Sequence, residues 1–230
     1  MNQKLASLSK TYLDYCSKTI SFHAFFAMVG DAVVRKKELS FVRCCDGEKI
    51  LLDQPKNKSN QILCFDANWQ KEFGVTGMKL TDLQKSIKEA GDTCTHFGPS
   101  ISGIHLHEYF MYNHFNQRPY YIDNFFPYSW SQEMQEMLFT AVNGILIIHR
   151  DHAKHVDGFK KKFKIENVHG LRLDRWQDVP RIILEARKLP HQLVLFSGGP
   201  AGKIMAPKIA KGTGKIVLDI GQAMHAWSGV

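Results

Sequence analysis

The stretch QLVLFSGGPAGKIMAPKIAKGTGKIVLDIG, residues 192–221, decides the fold class. QLVLFS and KIVLDIG are short apolar runs bounded by turn residues, the pattern of strands buried on both faces. Between them the turn Gly198-Gly199-Pro200 opens a helical segment, AGKIMAPKIAKG. A strand, a helix and a second strand in so short a span form a β-α-β unit, with parallel strands and a right-handed crossover. Pro207 lies inside the helical segment, lacks a backbone N–H, and is expected to kink or shorten it.

The same alternation continues upstream. A helix ends near Lys188, and GILIIH, residues 144–149, reads as another buried strand after a helix over 129–143. LSFVRC, residues 39–44, reads as a strand, Asp46 and Gly47 as a turn, and EKILLD as the start of a helix. KLTDLQKSIKEAG predicts a helix capped by Thr81 and stopped by Gly91, followed by a strand in TCTHFG. A helical stretch is expected from about Ile104 to Phe115, and PYYIDNFF has strand-like composition. From Asn2 to about Glu38 the pattern is helical, with Ser21 as an N-cap and Phe22, Phe25, Phe26, Val29 and Val33 on one face. The expected architecture is a single α/β domain over residues 1–230: a Rossmann-like, mainly parallel sheet flanked by helices, with residues 1–38 as a helical N-terminal extension.

Composition narrows the partners. Hydrophobic residues make up 44% and charged residues 23% of the 230, an ordinary globular balance that argues against long disorder. The net charge of +8 favours polyanions: nucleic acid, an anionic membrane or phosphorylated small molecules. Lys154, Lys160, Lys161, Lys162 and Lys164 form one local group and Lys203, Lys208, Lys211 and Lys215 another, each also explicable as a solvated face. Five cysteines are an odd number and two, Cys44 and Cys45, are adjacent, so reduced thiols and a cytoplasmic location are expected. No leader pattern opens the sequence and no run reaches the length of a membrane span; FHAFFAMVGDAVV is broken by Asp31.

In open parallel sheets, ligands gather beyond the carboxyl ends of the strands. Three segments fall there. Ser197, Gly198, Gly199, Pro200, Ala201 and Lys203 form a glycine turn entering a helix, where free N–H groups can meet a phosphate. The spacing is neither that of a P-loop nor that of a dinucleotide fingerprint. A tight turn that simply requires glycine is the plainer alternative. Asp46-Gly47-Glu48 sets two carboxylates around a glycine, a pattern able to hold a hard divalent cation, with Arg43 nearby to match phosphate oxygens. It also reads as an acidic helix start. His149 and Arg150, delivered by GILIIH, are candidates for contact with ligand phosphates. His149, His152 and His155, three apart, would drift across a helix face and make a poor metal set alone. The segment from Tyr109 to Trp130 holds ten of the 26 aromatic residues, for core packing or for stacking a sugar or base, and Asp123 within it is a candidate general base.

Arg43 with Asp46-Gly47-Glu48, then GILIIHR, then LVLFSGGPAGKIMA and GKIVLDIG together resemble, in order, the GT-D-type glycosyltransferases. These are small Rossmann-like sugar transferases of bacterial glycoprotein and surface-glycan assembly. The resemblance spans about Leu39 to Gly221. It implies a nucleotide-sugar donor, a UDP-sugar in first place, with Asp46 and Glu48 as the DxE acids tied to Mn2+ or Mg2+. Arg43 matches the preceding arginine, Gly199, Pro200 and Ala201 the Gly-Pro-Ala turn, and Asp219, Ile220 and Gly221 the Asp-Ile-Gly close. Cys45 stands where glycine is usual, and Gln222 where a histidine commonly follows.

The expected function is therefore metal-dependent sugar transfer from a nucleotide diphosphate to a hydroxyl, with Asp46, Gly47, Glu48, Arg43, His149, Arg150, Asp219 and the 197–203 turn at the site. The acceptor is a glycan or glycoprotein or, given the charge, a hydroxymethylated DNA base. The contrasting reading is a non-catalytic nucleic-acid-binding protein on the same scaffold.

Overall fold

The computed structural model describes residues 13–14, 16–99 and 114–230. Residues 2–12 of the expected helical extension and residues 104–113 of the helical stretch expected from about Ile104 to Phe115 lie outside the described residues, Tyr109, Phe110 and Tyr112 among them.

Six strands form one parallel sheet: β2 (Leu39–Cys44), β3 (His96–Pro99), β5 (Ile145–His149), β6 (Val168–Arg172), β7 (Leu193–Phe196) and β8 (Ile216–Asp219), in spatial order β3-β2-β8-β7-β5-β6. Register pairs Phe196 with Asp219 and Ile148 with Phe196, so the carboxyl ends form one continuous edge. A separate parallel pair joins β1 (Thr19–Ile20) to β4 (Tyr121–Ile122). The strand expected over 119–126 is thus only two residues long, because Pro127 and the turn at Asp123 start a helix directly after it.

Strand alternation divides the core. Val42, Leu146, Ile148, Val194, Phe196 and Val217 face one side, against α2 (Asp46–Asp53), α4 (Leu80–Thr93), α8 (Val179–Lys188) and α10 (Met205–Ala210). Phe41, Ile145, Ile147, Leu193, Leu195 and Leu218 face the other, against α1 (Phe22–Val34), α6 (Gln132–Ala141), α7 (His152–Phe163) and α11 (Ala223–Ser228). Ser21 caps α1 as expected, its Oγ accepting from Ala24 N at 3.2 Å. Phe25 of α1 packs on Phe41 and Phe126, so this helix belongs to the main core.

Three expected boundaries shift, each for a local reason. Asp46 and Gly47 are the first turn of α2, because Cys45 takes the cap position and Glu48 reaches back to its N–H at 2.7 Å. Gly91 does not stop α4, which starts after Lys79 and runs through to Thr93. Its role is steric: a Cβ there would lie 2.4 Å from the Phe115 ring. The helix after the glycine turn is split into α9 (Gly199–Gly202) and α10, so that Pro207 falls in the first turn of α10, where no N–H is needed.

Gly91→Ala should therefore force the Phe115 ring aside and cost about 1–3 kcal/mol. Urea unfolding checks it: the midpoint falls while the slope is unchanged.

Candidate functional site

β5 leads through α7 on one face to its neighbour β6, whereas β7 leads through α9 and α10 on the other face to β8. The loops leaving β5 and β7 therefore diverge, and the crevice between adjacent carboxyl ends at such a switch point is where open α/β sheets bind ligands. A cleft of about 230 Å³ lies there, lined by His149, Arg150 and Asp151 after β5, Ser197 to Gly199 with Ala201 and Gly202 after β7, and Asp174 and Arg175 after β6. Glu72, Phe73, Gln222 and His225 complete its walls. Gly199 sits at φ +58°, and a Cβ there would come within 3.2 Å of Phe73, so glycine both makes this turn and admits the wall.

Beside the cleft, at the ends of β2, β7 and β8, four expected site residues form one buried cluster. The Lys203 ammonium lies 2.7 Å from Asp219 Oδ2 and 3.5 Å from Glu48 Oε1. Arg43 donates to the Ile220 carbonyl at 3.3 Å and to Cys45 Sγ at 3.4 Å, while its backbone N–H points to Asp219 Oδ2 at 3.4 Å. Burial works against both cations, but Asp219 and Glu48 around Lys203, and Cys45, Asp219 and Glu48 around Arg43, outweigh it and raise both pKa values. The neighbouring Cys44 thiol is pushed well up, by burial first and then by the Glu48 charge.

Lys203, expected beside donor phosphates, is thus enclosed between two acids. Glu48 is spent in the same way, with Oε2 on the Cys45 N–H and Oε1 toward Lys203. Asp46, in contrast, is exposed, and Gly47 is half-buried against Trp69. Trp69 stacks between Phe65 and Phe73, the latter a wall of the cleft, so this aromatic pile joins the acid loop to the glycine turn. Cys45 acquires a reason: its Sγ accepts from both Arg43 and Asn124 Nδ2, contacts a glycine cannot make. Asp123 lies outside the cleft lining, its Oδ1 holding the Phe125 N–H at 2.8 Å.

Arg150 braces the cleft wall, donating to the carbonyls of Lys71 and Glu72 at 3.2 and 2.7 Å, the exposed C-terminal end of α3 (Ala67–Glu72). His149 is held neutral, its pKa lowered to about 4 by burial and then by His155 and His225. His155 and His225 stand next to it, whereas His152 packs against Gly170. Sequence spacing missed Arg175 and His225. Arg175 follows the strand VHGLR, whose alternation carries the signal, and makes no ion pair among the described residues. His225 lies 70 residues beyond His155, and spacing carries no trace of their contact.

Among the described residues, no helix is long and apolar enough to cross a membrane. A family model described as a GT-D fold-like domain matches residues 20–227. Among solved structures, one described as the highly conserved domain of unknown function 1792 with a distinct glycosyltransferase fold is similar at a TM-score of 0.61 and 16% identity, covering 98% of this chain and 85% of its own. Another, a glycosyltransferase of the same domain from Streptococcus sanguinis, is similar at a TM-score of 0.58 and 14% identity, covering 91% and 84%. No curated protein matches the sequence.

Lys203→Met leaves Asp219 and Glu48 buried without their cation, a change that typically costs about 3–5 kcal/mol. A drop of that size in unfolding free energy is the expected result. A loss below about 1 kcal/mol would show that the cluster is not what joins these strands.

Proposed function

The chain belongs to the GT-D-like family and has its glycosyltransferase fold, and from that premise we propose that it moves a sugar from a nucleotide-diphosphate donor, a UDP-sugar in first place, to a hydroxyl acceptor. The observation that carries this reading is the cleft between β5 and β7. Its glycine turn lets a ligand approach the backbone, and Arg175, which makes no ion pair among the described residues, brings a guanidinium suited to a diphosphate. His149 and Arg150 line the same cleft, Arg150 as a brace for its wall. Asp151, an exposed carboxylate in that lining, is placed to receive the acceptor proton in the role first considered for Asp123.

The acid pair does not fit Mn2+ or Mg2+ as a pair. A cation on Glu48 would sit beside the Lys203 ammonium, and both Glu48 oxygens already have partners. Asp46 is exposed, with Oδ1 accepting from the Gly47 N–H at 2.9 Å, and offers its Oδ2 to a hard cation. The role assigned to Glu48, Lys203, Asp219 and Arg43 is to fix the strand ends that frame the donor cleft.

The acceptor reading favours a glycan or glycoprotein over DNA. Lys203 and Lys215 are buried, Lys208 pairs with Glu89 at 3.2 Å, and Lys160 to Lys162 occupy the last turn of α7, where positive charge suits the helix end. In the second group only Lys211 is thus neither buried nor paired, which weakens the DNA-acceptor reading, while Lys154, Lys161 and Lys164 of the first group stay exposed.

Incubation with a panel of nucleotide sugars, with Mn2+ or with chelator, should release nucleoside diphosphate from one donor class. Asp46→Asn is expected to lower turnover by about 100-fold with the melting temperature unchanged, whereas Glu48→Gln lowers stability as well. Absence of release from every donor sinks the transferase reading, and wild-type turnover by Asp46→Asn removes Asp46 from it.

A further inference from the structure

His149 ends β5, His155 lies in α7 and His225 in the first turn of α11, and the three rings meet edge to face. Their centroids are 4.4, 4.9 and 5.6 Å apart, and one ligand nitrogen from each lies within 4.8 Å of the others. We propose that these histidines bind one divalent transition-metal ion, Zn2+ by the nature of the donors, with an open coordination position facing the cleft. The site is independent of Asp46 and Glu48, and it stands whether or not the protein transfers sugar.

The hydrogen bonds around His155 carry the argument. Ser228 Oγ has one proton and lies 2.8 Å from the Met224 carbonyl, 3.2 Å from the His225 carbonyl and 2.8 Å from His155 Nδ1; it bonds a carbonyl and the ring together only by donating to the carbonyl and accepting from Nδ1–H. The proton of His155 is thereby fixed on Nδ1, and Nε2 keeps a bare lone pair. That atom is fully buried and has no hydrogen-bond partner among the described residues, an arrangement that costs free energy in a closed core. An ion bound there satisfies it, and the Ser228 bond then serves as the outer partner that orients a metal-bound imidazole.

The other two ligands complete an open site. A tetrahedral Zn2+ with bonds of about 2.0–2.1 Å needs nitrogens about 3.4 Å apart, so the cluster must close by about 1.4 Å at most. His225 is exposed and is the ring free to make that movement. At His149 the Asp151 N–H occupies Nδ1 at 3.0 Å, and loading the ion costs this bond, whether the metal takes Nδ1 itself or takes Nε2 and moves the ring proton to Nδ1. Three neutral imidazoles suit Zn2+, Ni2+ or Cu2+ and not the oxygen-seeking Mg2+. Because His149 and His225 both line the cleft, the fourth position opens into it.

The test uses the full-length, untagged chain stripped with chelator and titrated with Zn2+ by calorimetry and with Co2+ by visible absorption. One ion per chain and a tetrahedral Co2+ spectrum are expected. His225→Gln and His149→Gln, each checked for native circular dichroism, should weaken binding at least about 100-fold, since outer-shell partners alone are worth 10–100-fold. His152→Gln, whose ring packs on Gly170, should leave it unchanged. Failure of the wild type to bind, or unchanged affinity in both His225→Gln and His149→Gln, overturns the proposal. Donor cleavage is read in a separate assay, so the two readings fail separately.

Discussion

The contact of the Lys203 ammonium with Asp219 and Glu48 is the constraint on which the binding edge depends. Lys203 comes from the segment after β7, Asp219 ends β8, and Glu48 lies in α2 just past β2. A buried charge is costly alone and becomes tolerable only when its partners and hydrogen bonds are in place together. These three side chains, with Arg43 reaching the Ile220 carbonyl, therefore specify how the ends of three adjacent strands sit. Hydrophobic burial drives the sheet together but is indifferent to a small displacement of one strand end. The ionic cluster is not.

That cluster also sorts the polar residues of the carboxyl edge into two kinds. Arg43, Glu48, Lys203 and Asp219 neutralise one another out of solvent. Those beyond β5, β6 and β7 face a cleft opened by the divergence of two crossovers. Arg150 belongs between the kinds: its guanidinium is exposed, yet two of its hydrogen bonds close the C-terminal carbonyls of α3 and so hold the wall carrying Phe73. The Trp69 stack transmits the same wall to Gly47. The acid loop and the glycine turn, 150 residues apart in sequence, thus share one aromatic spacer.

The parallel sheet was legible because LVLF, ILIIH and IVL are short runs, apolar on both faces, rich in β-branched residues and bounded by turn residues. Helix ends were less legible, since Cys45 as a cap and Gly91 inside a helix depend on partners elsewhere, Glu48 and the Phe115 ring. For the site, the positions of Arg43, Asp46, Glu48, the glycine turn and Asp219 at strand ends could be read from sequence, but their roles could not. Whether a carboxylate is open or spent depends on a lysine more than 150 residues away, and no local pattern records that pairing.

The C-terminal helix shows how one packing contact sets which side chains reach the cleft. Gln222 follows Asp219-Ile220-Gly221 directly, and the histidine of this segment comes three residues later, in the first turn of α11. Trp227, buried with its Nε1 on the Pro127 carbonyl at 2.7 Å, locks that helix against the sheet. Once docked, the helix can present only residues of its first turn to the cleft, and those are Gln222 and His225. That position brings the His225 ring beside those of His149 and His155. A side chain from the segment after β8 thus reaches the end of β5, two places away in the sheet.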